Sequence, residues 1–159
     1  MTNEQIVIDP SERERTARAY FRDGYNCCQS VLLAFKDVIG LPEETIATFG
    51  SGFGGGMGRL REVCGSVSGM TFMAGIISPA TCPGNMDQRT ANYALVQEFA
   101  AAFRDIHGSI VCREILQLRA GQKDSPRPEA RTAEYYTKRP CERVIGDAAR
   151  IIAEKISKG

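Results

Sequence analysis

Cysteines carry the chemistry that this 159-residue chain has to offer. There are six of them: Cys27, Cys28, Cys64, Cys82, Cys112 and Cys141. As thiolates, such residues ligate metals or attack disulfides. No pair forms C-x-x-C, so neither a zinc ribbon nor a thioredoxin-type site is indicated, and no C-x-x-C-H is present for covalent haem. Cys27, Cys64, Cys112 and Cys141 are separated by 37, 48 and 29 residues, so only tertiary folding can bring them together. His107 is the only histidine, which leaves no partner for a Cys₂His₂ or Rieske-like site. It reads as a helix C-terminal residue favoured by the helix dipole.

The elements that must position these residues read as helices. Asp9-Pro10 has the form of an N-cap followed by proline at the first helical position, and predicts a helix to about Arg22 with Ala17, Tyr20 and Phe21 inward. Asn26 caps a second, Cys27 to about Ile39, with Val31, Leu32, Phe35 and Val38 as its buried stripe and Gly40 as its stop. Pro42-Glu43-Glu44 opens a short third helix. It runs into Phe49–Gly69, which holds half of the chain's 16 glycines. From Glu62 or Val63 to Ile77 the chain reads as a central helix buried on all sides, with Gly65, Ser66, Ser68 and Gly69 small enough for a neighbour to approach closely. Asn85 or Asp87 caps an amphipathic helix to about Ile106, with Leu95, Phe99, Phe103 and Ile106 inward. A break at Gly108-Ser109 precedes a short helix from Val111 to Leu118. Residues 118–138 read as a surface loop. Pro140 opens a last helix to about Ser157, with Val144, Ile145, Ala148, Ile151, Ile152 and Ile156 inward. No β pattern emerges. The expected fold is all-α, a single-domain bundle of about six or seven helices with a glycine-rich loop before a buried central helix.

On this map Cys27, Cys64, Cys112 and Cys141 all fall in the first turn of a helix, where unpaired N–H groups and a partial positive charge favour a thiolate. Cys28 points about 100° away around its helix, and a vicinal Cys27–Cys28 disulfide is not expected. Cys82 lies in a loop. A glycine-rich loop is useful where backbone must come close to something, so Gly54, Gly55 and Gly65 are candidates to meet a cofactor with their N–H groups. Gly50-x-Gly52-x-x-Gly55 matches a dinucleotide fingerprint, but no strand precedes it and no parallel sheet is predicted. Arg59 and Arg61 could offset the negative charge of a thiolate cluster, but a solvated surface role is the expected one. Tyr135-Tyr136 reads as a packed loop end. Ser66 and Ser68 lack a base, and Asp23, Glu62 and Asp105 make no carboxylate pair.

Composition narrows the class further. The formal charge is +1, from 20 basic and 19 acidic residues, so neither nucleic acid nor a membrane surface is indicated as a partner. The first residues contain no apolar signal region. The longest apolar run, Val67 to Ile77, is shorter than the roughly 20 residues that span a bilayer. The expected compartment is the cytoplasm, where clustered cysteines more often bind metal or do redox work than form structural disulfides.

Four segments, NCCQSVLLAF (26–35), FGGGMGRLREVCGSVSG (53–69), CREIL (112–116) and RPCERVIGDAARII (139–152), together resemble the family of redox-active proteins named for its C_GCAxxG_C_C cysteine pattern. The resemblance runs from about Ala19 to Ile152. It carries the family's four cysteines onto Cys27, Cys64, Cys112 and Cys141. Two departures stand out: Ser66 occupies the motif's alanine, and Cys28 follows the first cysteine, offering an alternative ligand. The family is similar to the non-haem part of split-Soret cytochromes. That similarity implies an iron–sulfur cluster, [2Fe–2S] in type, held by those four cysteines for electron transfer. Family members are often encoded near transporter genes, which implies a functional link to a transporter beside an unidentified redox partner. A homodimer is compatible with the sequence. Two alternatives stand beside the cluster: a metal-free thiol–disulfide redox protein using the same cysteines, and a structural Cys₄ zinc protein.

Overall fold

The computed structural model describes residues 6–120 and 124–158. Its helices are α1 (Pro10–Arg22), α2 (Cys27–Leu33), α3 (Lys36–Ile39), α4 (Glu43–Gly50), α5 (Gly54–Met57), α6 (Gly65–Ile77), α7 (Met86–His107), α8 (Cys112–Ile115), α9 (Ala133–Lys138) and α10 (Cys141–Ser157). Among the described residues there is no strand. The sole β-type pairing among them is an isolated antiparallel bridge between Val63 and Val111. No helix among them is long and apolar enough to cross a membrane.

Local chemistry sets most of the boundaries. Asp9 accepts from the Ser11 N–H at 3.0 Å with Pro10 at the first helical position. Asn26 and Gln29 form a reciprocal capping box at the start of α2. Asn85 accepts from the Gln88 N–H at 3.0 Å to start α7. Gly40 and Gly108, at φ 74° and 79°, end α3 and α7 in the left-handed conformation that glycine adopts without steric cost.

The core is one cluster of side chains led by Phe21, Phe35, Phe103, Met70, Met73, Ile145 and Ile152. Helix α10 packs along α1 and against α6, α2 lies between α1, α4 and α6, and α7 covers α6. The small face of α6 is what lets α2 approach. A Cβ on Gly69 would sit 3.0 Å from Val31, and one on Gly65 would sit 2.7 Å from the Phe53 carbonyl oxygen.

Several elements differ from the sequence reading. The helix expected over Cys27–Ile39 breaks between α2 and α3, where Phe35 has φ −119° and ψ 24°. Arg13, buried at 7% exposure, donates to the Ala34 carbonyl at 2.8 Å and to Asp37 Oδ2 at 2.8 Å. That carbonyl therefore leaves the helical ladder, and the guanidinium beside Asp37 holds its carboxyl below the usual range. Helix α6 is buried on one side only, since Phe72 and Ile76 are exposed. Ile106, expected inward, is exposed at the end of α7. The short helix predicted from Val111 to Leu118 spans only Cys112–Ile115, and Gln117 then turns to φ 56°. The stretch expected as loop, 118–138, contains α9, which packs Tyr135 and Tyr136 onto Phe21; its residues 121–123 lie outside the described ones.

Gly65→Ala should lower stability by about 1–3 kcal/mol, because its Cβ meets backbone that cannot move aside. Gly75→Ala on the same helix, with nothing within 4 Å of its Cβ, should raise stability by about 0.5–1 kcal/mol. Urea unfolding of the two variants checks the pair, and equal effects would contradict the packing described.

Candidate functional site

Cys64 and Cys112 are brought side by side by backbone pairing between residues 61–64 and 110–113. The Cys64 N–H donates to the Ile110 carbonyl at 2.8 Å, the Cys112 N–H to Glu62 at 2.6 Å, and the Arg113 N–H to Arg61 at 3.2 Å. Cys64 is the N-cap of α6 and Cys112 the first residue of α8, and both are buried.

The glycine-rich stretch makes this pairing possible. Gly55, Gly56 and Gly58 have φ of 64°, 66° and 52°, and the left-handed turn continues through Met57, Arg59 and Arg61. Arg61 and Glu62 donate back to the carbonyls of Gly55 and Gly56, each at 3.2 Å. A Cβ on Gly56 would lie 2.7 Å from the Cys112 Cβ, and one on Gly65 would lie 3.0 Å from the Cys27 Cβ. Asn26 fixes the other end: its amide donates to the Gly50 and Ser51 carbonyls at 3.1 Å, while Gln29 donates to Ala47 at 2.9 Å. Cys27 is thereby held at the edge of the glycine turn.

Cys141 is the first residue of α10, after Pro140. The salt bridges from Arg18 and Arg22 to Glu142, at 3.2 and 2.7 Å, secure that end of α10 to α1. The result is a cavity of about 430 Å³ whose wall includes Cys27, Cys64, Cys112 and Cys141, together with Gly54, Gly55, Gly56 and Gly65. Cys28 is absent from that wall and sits wholly buried in the core. Cys82 is exposed on the loop before α7.

Arginines supply the charge. Arg61, read from sequence as solvated, is only 6% exposed. It donates through Nε to Asp124 at 2.6 Å and points Nη1 at the Cys112 sulfur, 3.7 Å away. Arg59 donates to the Arg127 carbonyl at 2.6 Å. Arg131 donates to the Phe21 and Tyr25 carbonyls at 2.7 and 3.0 Å, with its guanidinium over the Phe21 ring. Arg139 pairs with Glu129. These contacts strap residues 124–131 across the cavity.

The four thiols are not equivalent. Burial pushes Cys64 up to about 11, partly offset by the Ser66 N–H and hydroxyl leaning towards its sulfur. That hydroxyl is fully buried and has no well-aligned acceptor. Burial also raises Cys112, against the opposing pull of Arg61. Cys27 lies well above the ordinary thiol value, chiefly because Cys141 beside it favours its protonated form, with partial burial adding to the rise. Cys141 accepts that bond and is lowered, with Arg139, Arg61 and Arg131 assisting. Tyr135, nearby, is raised to about 12 by burial and by Cys141.

The site thus gathers the four helix-start cysteines singled out from the sequence and adds Gly56, Arg61, Arg131, Arg139 and Tyr135. Among the described residues, no group of three or more His, Cys, Asp or Glu side chains is placed to hold a metal ion. His107 lies apart from the four thiols. Its Nε2 is 3.1 Å from Asp147 Oδ2 but out of line for a hydrogen bond, and burial lowers its pKa, overriding the dipole effect expected from its position.

In the reduced, metal-free protein, iodoacetamide at pH 8 should alkylate Cys141 faster than Cys27, because the lowered group is more ionised at any pH below the ordinary thiol value. Arg139→Gln should slow Cys141. Peptide mass spectrometry reads both, and equal rates for the two cysteines would contradict the asymmetry.

No curated protein and no solved structure matches the chain. A family model described as "Putative redox-active protein (C_GCAxxG_C_C)" matches residues 25–155, which takes in all four cysteines of the cavity. The chain therefore belongs to the C_GCAxxG_C_C family of redox-active proteins.

Proposed function

We propose that this protein carries out its redox work in the cysteine cavity, where Cys27, Cys64, Cys112 and Cys141 hold an iron–sulfur cluster of the [2Fe–2S] type. The observation that carries this reading is the convergence of four thiols on one cavity that Arg61, Arg131 and Arg139 also line. A two-iron cluster takes its thiolates as two pairs, and two features support that reading: the backbone pairing that sets Cys64 beside Cys112, and the opposite shifts that Cys27 and Cys141 impose on each other. When bound, the cluster supplies one-electron transfer at a potential set by charge, hydrogen bonds to sulfur and burial.

Several of the chain's own residues support this reading. Arg61, Arg131 and Arg139 offset the negative charge of four thiolates in a place where burial disfavours them. The buried Ser66 hydroxyl, lacking an aligned acceptor, is available to an anionic sulfur at Cys64. Gly54, Gly55 and Gly65 offer backbone without a Cβ in the way. The working compartment in this reading is the cytoplasm, and the unidentified redox partner approaches the arginine-strapped face. A transporter and a second copy of the chain are the assemblies in which such a centre would serve.

One observation favours a second reading, a metal-free dithiol. The unequal Cys27–Cys141 pair is arranged for exchange. The Cys141 thiolate attacks a substrate disulfide and releases one thiolate; Cys27 then loses its proton and attacks Cys141 Sγ, which releases the second thiolate and leaves a Cys27–Cys141 disulfide. Two electrons pass to the substrate. A structural zinc site is the third possibility, and it needs all four sulfurs around one point.

Anaerobic purification with metal, sulfide and visible-spectrum analysis separates these readings. A brown protein with about two irons and two sulfides per chain supports the cluster. Cys64→Ser should abolish the colour, whereas Cys82→Ser should keep it; an unchanged spectrum in Cys64→Ser would sink the assignment. A colourless, iron-free protein that forms a Cys27–Cys141 disulfide reversibly supports the dithiol reading instead. Stoichiometric zinc without colour supports the structural site.

A further inference from the structure

Residues 124–130 close one side of the sulfur cavity without being built into the helix bundle. Pro126, Pro128 and Glu129 stand in the cavity wall with the four cysteines. Yet Ser125 to Ala130 are all exposed, so no apolar side chain fixes this segment in the core. Among the described residues, its one backbone-to-backbone hydrogen bond is local, from the Thr132 N–H to the Ala130 carbonyl at 3.0 Å. Pro126 and Pro128 fix their own φ and keep the residues before them extended, so the stretch moves as one stiff piece.

What holds the segment is a set of side chains from the runs that lead into Cys64 and Cys141. Arg61 donates to Asp124 at 2.6 Å. Arg59 lies 3.8 Å from the same carboxylate and donates to the Arg127 carbonyl at 2.6 Å. Arg139 pairs with Glu129. Arg131 is fixed in another way: it donates to the Phe21 and Tyr25 carbonyls and lies 4.1 Å from the centre of the Phe21 ring. Just beyond it, Thr132 caps α9 by accepting from the Tyr135 N–H at 3.2 Å. One end is therefore anchored on the core, and the rest is latched by ion pairs, which salt screens. With the latches closed, Cys64 and Cys112 are each only 7% exposed.

We propose that residues 124–130 are a lid, hinged at Arg131 and Thr132 and latched by Asp124 on Arg61 and Glu129 on Arg139, which lifts to admit what the sulfurs bind. Opening breaks ion pairs and the Arg59 bond to Arg127 but no helix, so it belongs to the low-energy local motions of the molecule. The lid serves the cluster and the dithiol readings alike, since both require entry to the same four sulfurs.

The test is alkylation of the reduced, metal-free full chain with a bulky maleimide, followed cysteine by cysteine by peptide mass spectrometry. In the double variant Asp124→Asn/Glu129→Gln, Cys64 should react about tenfold faster, the change expected from losing one charge-assisted hydrogen bond. Cys28, wholly buried in the core, should stay protected. In the unaltered chain, about 1 M potassium chloride, which cuts the screening length to roughly 3 Å, should speed Cys112 severalfold. The sign separates a lid from a fixed wall. Arg61 favours the Cys112 thiolate, so behind a fixed wall salt would screen that help and slow the reaction. An unchanged Cys64 rate in the double variant, a Cys112 rate that salt slows or leaves unmoved, or a salt-induced rise at Cys28 equal to that at Cys112 would overturn the proposal. The salt measurement needs no substitution, so it decides the matter even where the double variant folds poorly. The readout involves neither iron nor colour. A fixed wall therefore leaves the cluster reading standing, and failure of the cluster reading leaves a moving lid standing.

Discussion

Two backbone hydrogen bonds, Cys64 N–H to Ile110 at 2.8 Å and Cys112 N–H to Glu62 at 2.6 Å, are the constraint on which the site depends. They join chain segments far apart in sequence and bring two sulfurs to one cavity. To reach that register the chain must double back sharply between α4 and α6. It does so through left-handed residues from Gly55 to Arg59 and again at Arg61, three of which are not glycine: Met57, Arg59 and Arg61. Such residues cost on the order of 1 kcal/mol or more each and persist only where surrounding structure over-determines them. Here the bonds from Arg61 to Gly55 and from Glu62 to Gly56 close the turn, and Asn26 ties its beginning to α2. The glycine cluster is therefore needed for two separate reasons: positive φ at Gly55, Gly56 and Gly58, and close approach at Gly56 and Gly65.

Electrostatics then decides what the cavity can do. Burial opposes ionisation of thiols, and in this cavity burial wins at Cys64 and Cys112, while at Cys27 the neighbouring Cys141 leads and burial adds to the rise. Only at Cys141 do the shared proton and three arginines prevail. The metal-free cavity is thus poised with one sulfur leaning towards thiolate and three holding their protons until something offsets their charge. Cys28, pushed up to about 12 by burial in the core, stays outside this balance, which separates its role from that of its neighbour Cys27.

The parts of this arrangement that were legible in the sequence are those set by local chemistry. Asp9, Asn26 and Asn85 cap and Gly40 and Gly108 stop, and Asn26 places Cys27 at a helix beginning, whereas the helix starts at Cys64, Cys112 and Cys141 carry no side-chain cap and follow from the glycine stretch, the Gly108-Ser109 break and Pro140. What escaped depends on contacts distant in the chain. Arg61 reads as solvated because nothing near it in sequence shows that Asp124 and Cys112 will enclose it. The break before Phe35 comes from Arg13, which removes the Ala34 carbonyl from the helix. Ile106 keeps the spacing of an inward residue but is exposed, while its neighbour His107 takes the inward place beside Phe103 and Asp147 of α10. The apolar Phe72 and Ile76 show the same limit: composition marks a helix as apolar, and only packing decides which side is covered.

The cysteines are also mounted unequally, and this bears on where the cavity opens. Cys64 and Cys141 begin helices of 13 and 17 residues that run through the core. Cys27 begins a shorter helix whose following residues, Val31 to Leu33, are buried. Cys112 begins a helix of four residues that ends before the left-handed Gln117. A helix that short has no stability of its own, so Cys112 owes its position to the pairing with Glu62 and to Arg61. Beyond it, residues 124–131 are held over the cavity chiefly by the side chains of Arg59, Arg61, Arg131 and Arg139. Side-chain ion pairs and single hydrogen bonds yield more readily than a packed core. The α8 and strap side is accordingly the most yielding wall of the cavity, and the same arginines that tune the thiols hold it in place.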